Sequence, residues 1–227
     1  MAFETWLQPA EAAASTEATK SIGHRSMGGR GLASHSKNAA GTCAHLVLID
    51  ETGLFLNPLV RRSWSKIGQT PVIGGDGGHR KKVSVIAGLS VSPKVQRLGL
   101  YFATQPDGYF TNDKTIEFLR DLLKHLRGKV VAVWDRGTNH KGPVVSKFLA
   151  RHPRLTLELL PPWAPELNPV EHVWSWLKYG ELANFVPDTT EGLDEEIVDR
   201  VIGLKFNPDL LRALWQRSAL PFPRKRV

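Results

Sequence analysis

Short apolar runs predict five strands downstream of His45 in this chain. They cover residues 46–49, 82–89, 97–102, 129–134 and 155–160, and a weaker run covers 71–73. The runs before residue 103 are separated by turn-forming residues and predict an antiparallel meander. The run at 129–134 is continuous rather than alternating, which is typical of a strand that is covered on both faces.

Helical patterns alternate with the later strands. Pro143 is expected to open a helix that ends before Pro153, another helix follows the turn at 160–169, and residues 189–220 predict two helices broken at Asn207. An earlier helix is predicted from apolar residues at helical spacing, which are Ile116, Leu119, Leu123 and Leu126. The element order therefore predicts an α/β fold, a mixed sheet of antiparallel strands followed by alternating α and β elements, with flanking helices.

Residues 1–44 differ in character from the rest of the chain. They are rich in Ala, Gly and Ser and show no sustained period, so we expect a poorly ordered extension left by a frame shift or by truncation. The folded domain is expected at 45–220 and a basic tail at 221–227. The apolar runs are too short to cross a membrane, and the single cysteine, Cys43, favours the reducing cytoplasm.

Positive charge is concentrated in one segment of the sequence. The formal net charge is +8, and residues 60–97 contain eight Lys or Arg against a single Asp. A basic stripe of this kind can neutralise phosphates along a nucleic acid and release counterions. Charge alone favours a nucleic-acid channel and an ordinary basic surface equally.

Three acidic residues stand at the ends of predicted elements. Asp50 and Asp135 each follow an apolar strand, and Glu171 falls in the first turn of the helix after the proline-rich turn. Carboxylate oxygens are the ligands that hard divalent cations prefer. Three of them brought together by a fold suit a site that holds metal ions and cuts phosphodiester bonds.

Each acid also has an ordinary structural interpretation. Asn168 and Glu171 have the spacing of a capping box, which is the favoured explanation of Glu171 taken alone. Asp135 could begin a turn before Gly137, and Asp50 could end its strand in a turn. These are three independent explanations, whereas a metal site accounts for all three positions together. We therefore adopt the metal hypothesis.

Three motifs in this order resemble the DDE transposases of bacterial insertion sequences, which are related to the mariner group. They are LIDETG at 48–53, VWD at 133–135 and LPPWAPELNPVEHVW at 160–174, and 35 residues separate Asp135 from Glu171. The last block is the most specific of the three. The resemblance covers roughly residues 45–220 and implies a ribonuclease-H-like catalytic domain.

The resemblance also implies an activity and its requirements. Asp50, Asp135 and Glu171 would hold two Mg²⁺ or Mn²⁺ ions for cleavage and strand transfer at the ends of an insertion sequence. The implied partners are double-stranded DNA, a second copy of the chain and a separately encoded helix-turn-helix half, in the bacterial cytoplasm at the nucleoid. Two alternatives stay open, a nuclease of the same fold without strand transfer and an inactive DNA-binding remnant.

Candidate DNA contacts come from the basic segment and from one aromatic residue. Trp163, in the proline-rich turn, could stack on an unpaired base. Trp174 is instead assigned to the core, because it shares helical spacing with neighbouring apolar residues. The basic candidates are Arg61, Arg62, Arg80, Lys81 and Lys82.

Overall fold

The computed structural model describes residues 44–57, 59–70, 72–74, 81–93, 97–137 and 142–220. The extension at 1–43 and the tail at 221–227 lie outside the described residues, so their predicted character stays a prediction. Ala44 already belongs to the first strand. No helix in the described ranges is long and apolar enough to cross a membrane.

A five-stranded mixed sheet forms the centre of the molecule. Strand order is β3-β2-β1-β4-β5, in which β1, β2 and β3 are antiparallel and β4 and β5 run parallel to β1. This order confirms the predicted fold class. The strands are β1 (Ala44–Phe55), β2 (Lys82–Val91), β3 (Leu98–Pro106), β4 (Lys129–Trp134) and β5 (Leu155–Leu159).

Strand β1 is longer than its apolar run predicts. It does not end at Asp50 but continues to Phe55, because residues Leu46 to Phe55 all pair with β2. Its pairing with β4 on the other side stops at Leu48. The predicted weak strand at 71–73 is wrong where the structure describes it, since residues 72 and 73 belong to no strand.

Five α-helices cover the described part of the sheet. They are α1 (Asn112–His125), α2 (Pro143–Arg151), α3 (Val170–Trp176), α4 (Thr190–Lys205) and α5 (Pro208–Gln216). A short 3₁₀ turn (Pro165–Leu167) precedes α3, and a π-helical segment (Leu177–Glu181) continues it. The predicted break at Asn207 is confirmed, since its side chain accepts the Leu210 N–H at the start of α5.

The helices bury the two faces of the sheet against separate cores. Helices α1 and α2 pack on the face that carries Val47, Ile49 and Ala132. Helices α3, α4 and α5 pack on the opposite face, which carries Leu48 and Val133. Side chains alternate between the faces along each strand, so the even-numbered positions of β1 and the odd-numbered positions of β4 point toward α3.

Candidate active site

Asp50 and Asp135 are brought together by the parallel register of β1 and β4. Leu48 is paired with Val133, and the same register continued for two residues sets Asp50 beside Asp135. Leu48 and Val133 belong to the core that faces α3, which we call the α3-facing core. Asp50 and Asp135 each lie two residues further along, so they share that face of the sheet. Asp50 is 9% exposed, in the middle of β1, which excludes the interpretation of it as a turn residue at a strand end.

Asp135 directly follows the end of β4 and also shapes the turn after it. Its Oδ1 accepts the backbone N–H of Gly137 at 2.9 Å. The turn interpretation of Asp135 is therefore confirmed, and it is compatible with a position at the acidic site. A carboxylate has two oxygens and can accept several hydrogen bonds or metal contacts.

Glu171 reaches the site from the first turn of α3. Asn168 has extended backbone angles, and its Oδ1 accepts the Val170 N–H at 3.2 Å, which caps the helix start. The backbone N–H of Asn168 donates to the carbonyl of Pro165 at 2.9 Å, where a capping box would use the Glu171 carboxylate. The described contacts thus support capping by Asn168, while Glu171 lines the same cavity as the two aspartates and its charge acts on Asp50.

The three acids line one open cavity of about 430 Å³. The proline-rich turn forms another part of its wall, so the cavity combines carboxylates with a largely apolar surface. Trp163 on this wall is 97% exposed and has a φ of 59°, an unusual backbone conformation for a bulky residue. The wall residues are Leu160, Pro161, Pro162, Trp163, Ala164 and Pro165.

Asp50 has the most perturbed electrostatics in this cavity. The pKa of its carboxyl is raised from 3.8 to about 7, chiefly by burial, then by the charge of Glu171 and to a smaller extent by that of Asp135. Hydrogen bonds from the Trp174 indole and from the Glu51 backbone act in the opposite direction. The dominant cause is desolvation of the charged form, followed by repulsion from the neighbouring acids.

Lys178 is a partly buried cation close to the same acids. Burial lowers the pKa of its ammonium group, while the charges of Glu171 and Asp50 act to raise it. The residue lies in the π-helical segment, seven positions and about two turns after Glu171. The side chain therefore offsets part of the negative charge of the site.

The donor set fits hard divalent cations. It consists of carboxylate oxygens from three separate elements, and their mutual repulsion at Asp50 is what a bound cation would relieve. Among the described residues, no group of three acidic, His or Cys side chains is already gathered at metal-binding distances. The acids share a cavity but are not drawn tightly around one point.

The predicted basic contacts lie away from this cavity where the structure describes them. Lys82 holds its ammonium 3.9 Å from the ring centroid of Tyr109. Lys82 lies five residues along β2 from Ala87, the partner of Asp50, which is roughly 17 Å at the rise of a strand. Arg62 and Lys81 are exposed, and Arg80 lies outside the described residues.

Arg61 is engaged with the protein itself. Its guanidinium donates a hydrogen bond to the carbonyl of Tyr179, and its backbone N–H donates to Oδ1 of Asn184 at 2.7 Å. A backbone bridge between Leu59 and Ala183 lies next to these contacts. These bonds of Arg61 therefore connect the start of the basic segment to residues that follow α3 in the chain.

Sequence patterns missed three residues of this site. Trp174 was assigned to the core alone, yet its indole N–H donates to Oδ2 of Asp50 at 2.8 Å. Asn168 was recognised only as a cap, and Lys178 was not singled out. Trp174 and Lys178 lie three and seven residues after Glu171, a helical spacing that places side chains on one side of a helix and could have identified them.

A mixed sheet with one aspartate within a central strand, a second directly after the neighbouring strand and a glutamate on a covering helix defines a ribonuclease-H-like fold. The family model for DDE superfamily endonucleases matches residues 45–191, more than half of the chain. The chain therefore belongs to the DDE superfamily endonuclease family, which confirms the resemblance found in the sequence motifs.

Solved structures of the Mos1 mariner transposase share this fold. The pre-cleavage Mos1 transpososome is 18% identical over 94% of this chain and 72% of its own, with a TM-score of 0.54. The Mos1 paired-end complex with the left transposon end is 18% identical over 96% of this chain and 70% of its own (TM-score 0.53). The Mos1 paired-end complex with Mg is 18% identical over 93% of this chain and 71% of its own, with a TM-score of 0.53. No curated protein sequence matches the chain.

Proposed function

We propose that the chain is the catalytic domain of a mariner-related transposase, which cleaves DNA strands at the ends of an insertion sequence and joins them to target DNA. The observation that carries the proposal is the meeting of Asp50, Asp135 and Glu171 in one cavity. The similar Mos1 structures include a complex with a transposon end and a complex with Mg, which supports DNA as substrate and a divalent metal as cofactor.

The acids have distinct tasks in this proposal. Asp50, Asp135 and Glu171 would hold two Mg²⁺ or Mn²⁺ ions, which supply activation of the attacking hydroxyl and stabilisation of the leaving oxygen. Asp50 and Asp135 provide oxygens from adjacent strands whose spacing the sheet fixes. Glu171 approaches from the helix side, and its longer side chain covers the distance from α3.

Trp163 is proposed to contact DNA next to the reacting phosphate. Its ring is exposed and lines the same cavity as the acids, within a turn whose prolines restrict the backbone. Stacking of a base on an aromatic ring contributes about 1–3 kcal/mol to binding. The proposed site therefore combines a negatively charged metal-binding side with an apolar stacking side.

Joining of a DNA end distinguishes the transposase from a plain nuclease. The purified chain is incubated in Mn²⁺ with a supercoiled plasmid and a labelled duplex that has a free 3′-hydroxyl. The sequence of the duplex is taken from the DNA that flanks the reading frame of this protein. Transfer of label to the plasmid is the expected result. Cut products without labelled plasmid would favour the nuclease, and DNA binding without either product would favour the inactive remnant.

The basic segment is proposed as the track for the DNA backbone. Removing Arg62 or Lys81 by substitution with Ala is expected to weaken binding to all duplexes and to reduce the salt dependence of log K by about 1 each. The measurement is fluorescence anisotropy over a series of salt concentrations. Arg120→Ala serves as the matched control, because Arg120 is exposed on α1 across the sheet from the site. An unchanged salt dependence of log K in both variants would show that Arg62 and Lys81 do not contact the DNA.

The remaining partners follow from the same function. A second copy of the chain would allow two DNA ends to be handled together, and a helix-turn-helix half encoded separately would read the terminal repeats. The place of action would be the bacterial cytoplasm, at the nucleoid.

A further inference from the structure

The indole of Trp174 is tied to the carboxylate of Asp50. Its Nε1–H donates to Oδ2 at 2.8 Å, and both residues are largely buried, with exposures of 3% and 9%. A hydrogen bond to a charged acceptor in a buried setting is stronger than one between neutral groups. The bond therefore restricts how the Asp50 side chain can turn.

Asn168 makes a second connection to the same point of β1. It is 2% exposed, and its Nδ2 donates to the carbonyl of Ile49 at 3.2 Å. Its Oδ1 meanwhile accepts the Val170 N–H in the first turn of α3. One buried amide thus connects the start of the helix to the residue directly before Asp50.

These two contacts lie on either side of Glu171 along the chain. Asn168 precedes Glu171 by three residues, just before the helix begins, and Trp174 follows it by three residues within the helix. The helix is held to Ile49 at one end and to Asp50 at the other. Rotation or sliding of α3 would break at least one of these bonds.

We propose that Asn168 and Trp174 are positioning residues that fix Glu171 of α3 against Asp50 of β1 for metal binding. This inference rests on the proposed metal-dependent function. Outer hydrogen-bond partners that orient metal ligands typically contribute 10- to 100-fold to metal affinity. A tryptophan that only fills space would not contribute in this way.

Trp215 provides a matched comparison within the same core. It is fully buried, and its indole N–H donates to a backbone carbonyl, that of Leu220, at 3.2 Å. Trp174 and Trp215 thus share residue type, burial and use of the indole donor, and both belong to the α3-facing core. They differ in that only the Trp174 bond ends on a proposed metal ligand.

Trp174→Phe keeps an aromatic ring but removes the donor. Calorimetry with Mn²⁺ and no DNA is expected to give affinity about 10- to 100-fold weaker than that of the wild type. Trp215→Phe should bind Mn²⁺ like the wild type despite a similar loss of core contacts. Equal Mn²⁺ affinity in folded Trp174→Phe and wild type would overturn the proposal.

Asn168→Ala gives a second variant in case Trp174→Phe does not fold. It should weaken Mn²⁺ binding by about 10-fold or more, whereas Asn207→Ala, which removes the comparable cap of α5, should not. Equal Mn²⁺ affinity in folded Asn168→Ala and wild type would also contradict the proposal.

Hydrogen exchange without metal separates this inference from the proposed function. The Glu171 and His172 amides, which donate to the Asn168 and Pro169 carbonyls, should exchange at least about 10-fold faster in Trp174→Phe and Asn168→Ala than in their controls. Faster exchange in a protein whose wild type binds no Mn²⁺ would preserve the positioning role and refute the metal function. Unchanged exchange would refute the positioning role whatever the metal result.

Discussion

Asp50→Asn is expected to stabilise the metal-free protein at pH 8 while abolishing its metal binding. The buried carboxyl has a pKa of about 7 in the folded protein against 3.8 as its ordinary value. A difference of this size corresponds to up to roughly 4 kcal/mol of stability that the ionised group removes. An Asn side chain at this position carries no charge and still offers an oxygen to the Trp174 indole.

The sign of the pH dependence follows from the raised pKa. The folded state holds the Asp50 proton more tightly than the unfolded state, so this group favours folding fully below pH 4. That contribution is lost as the pH rises toward and through 7. Urea unfolding in chelator should therefore show a fall in the wild-type free energy of unfolding between pH 4 and pH 8 that is smaller in Asp50→Asn.

An exposed carboxylate supplies the control for this measurement. Asp199→Asn, on the exposed side of α4, should leave the pH dependence of the wild type unchanged. Equal stability of Asp50→Asn and wild type at pH 8 would contradict the description of Asp50 as a buried acid repelled by its neighbours. A site without that repulsion would gain little free energy from binding a cation.

Glu171→Gln is expected to lower the cleavage rate by at least about a thousandfold, equivalent to roughly 4 kcal/mol of transition-state stabilisation. The fold should persist, because the capping bond of α3 comes from Asn168 and not from the Glu171 carboxylate. Removing the charge of Glu171 should also lower the pKa of Asp50, since that charge is the second cause of its elevation.

Two readouts test Glu171→Gln. Single-turnover cleavage in Mn²⁺ measures the rate, and the pH dependence of unfolding in chelator measures the effect on Asp50. Glu166→Gln is the matched control, because Glu166 is exposed in the 3₁₀ turn before α3 and does not line the cavity. Cleavage by Glu171→Gln at a rate close to that of the wild type would exclude Glu171 from the metal site.

The sequence was sufficient to predict the five strands of the sheet and the place of Asp135 and Glu171 at element ends, although not the full length of β1, within which Asp50 lies. The continuous apolar run of β4 has both faces buried, as its pattern indicates, and Asp135 follows it directly. The parallel pairing that sets Asp50 beside Asp135 agrees with the predicted mixed sheet. The capping role of Asn168 was also readable, because the chemistry of a helix start is local.

Local sequence patterns could not predict the contacts between residues that are far apart in the chain. The extent of β1 depends on how far β2 pairs with it, so polar residues 51–53 continue the strand although their composition suggests a turn. Trp174 looked like a core residue because helical spacing reports burial and not the partner of a polar atom. Arg61 stays a predicted DNA contact, but charge alone could not show that its guanidinium already donates to the carbonyl of Tyr179.

Nicking of a labelled duplex by the purified chain in Mn²⁺, with Asp135→Asn and a chelator as controls, tests the central claim most directly. Asn at this position retains the Oδ1 that accepts the Gly137 N–H, so the turn and the fold should be preserved. The account predicts nicking by the wild type that is lost both in the variant and in chelator. Nicking by Asp135→Asn at the wild-type rate, or nicking that persists without metal, would contradict it.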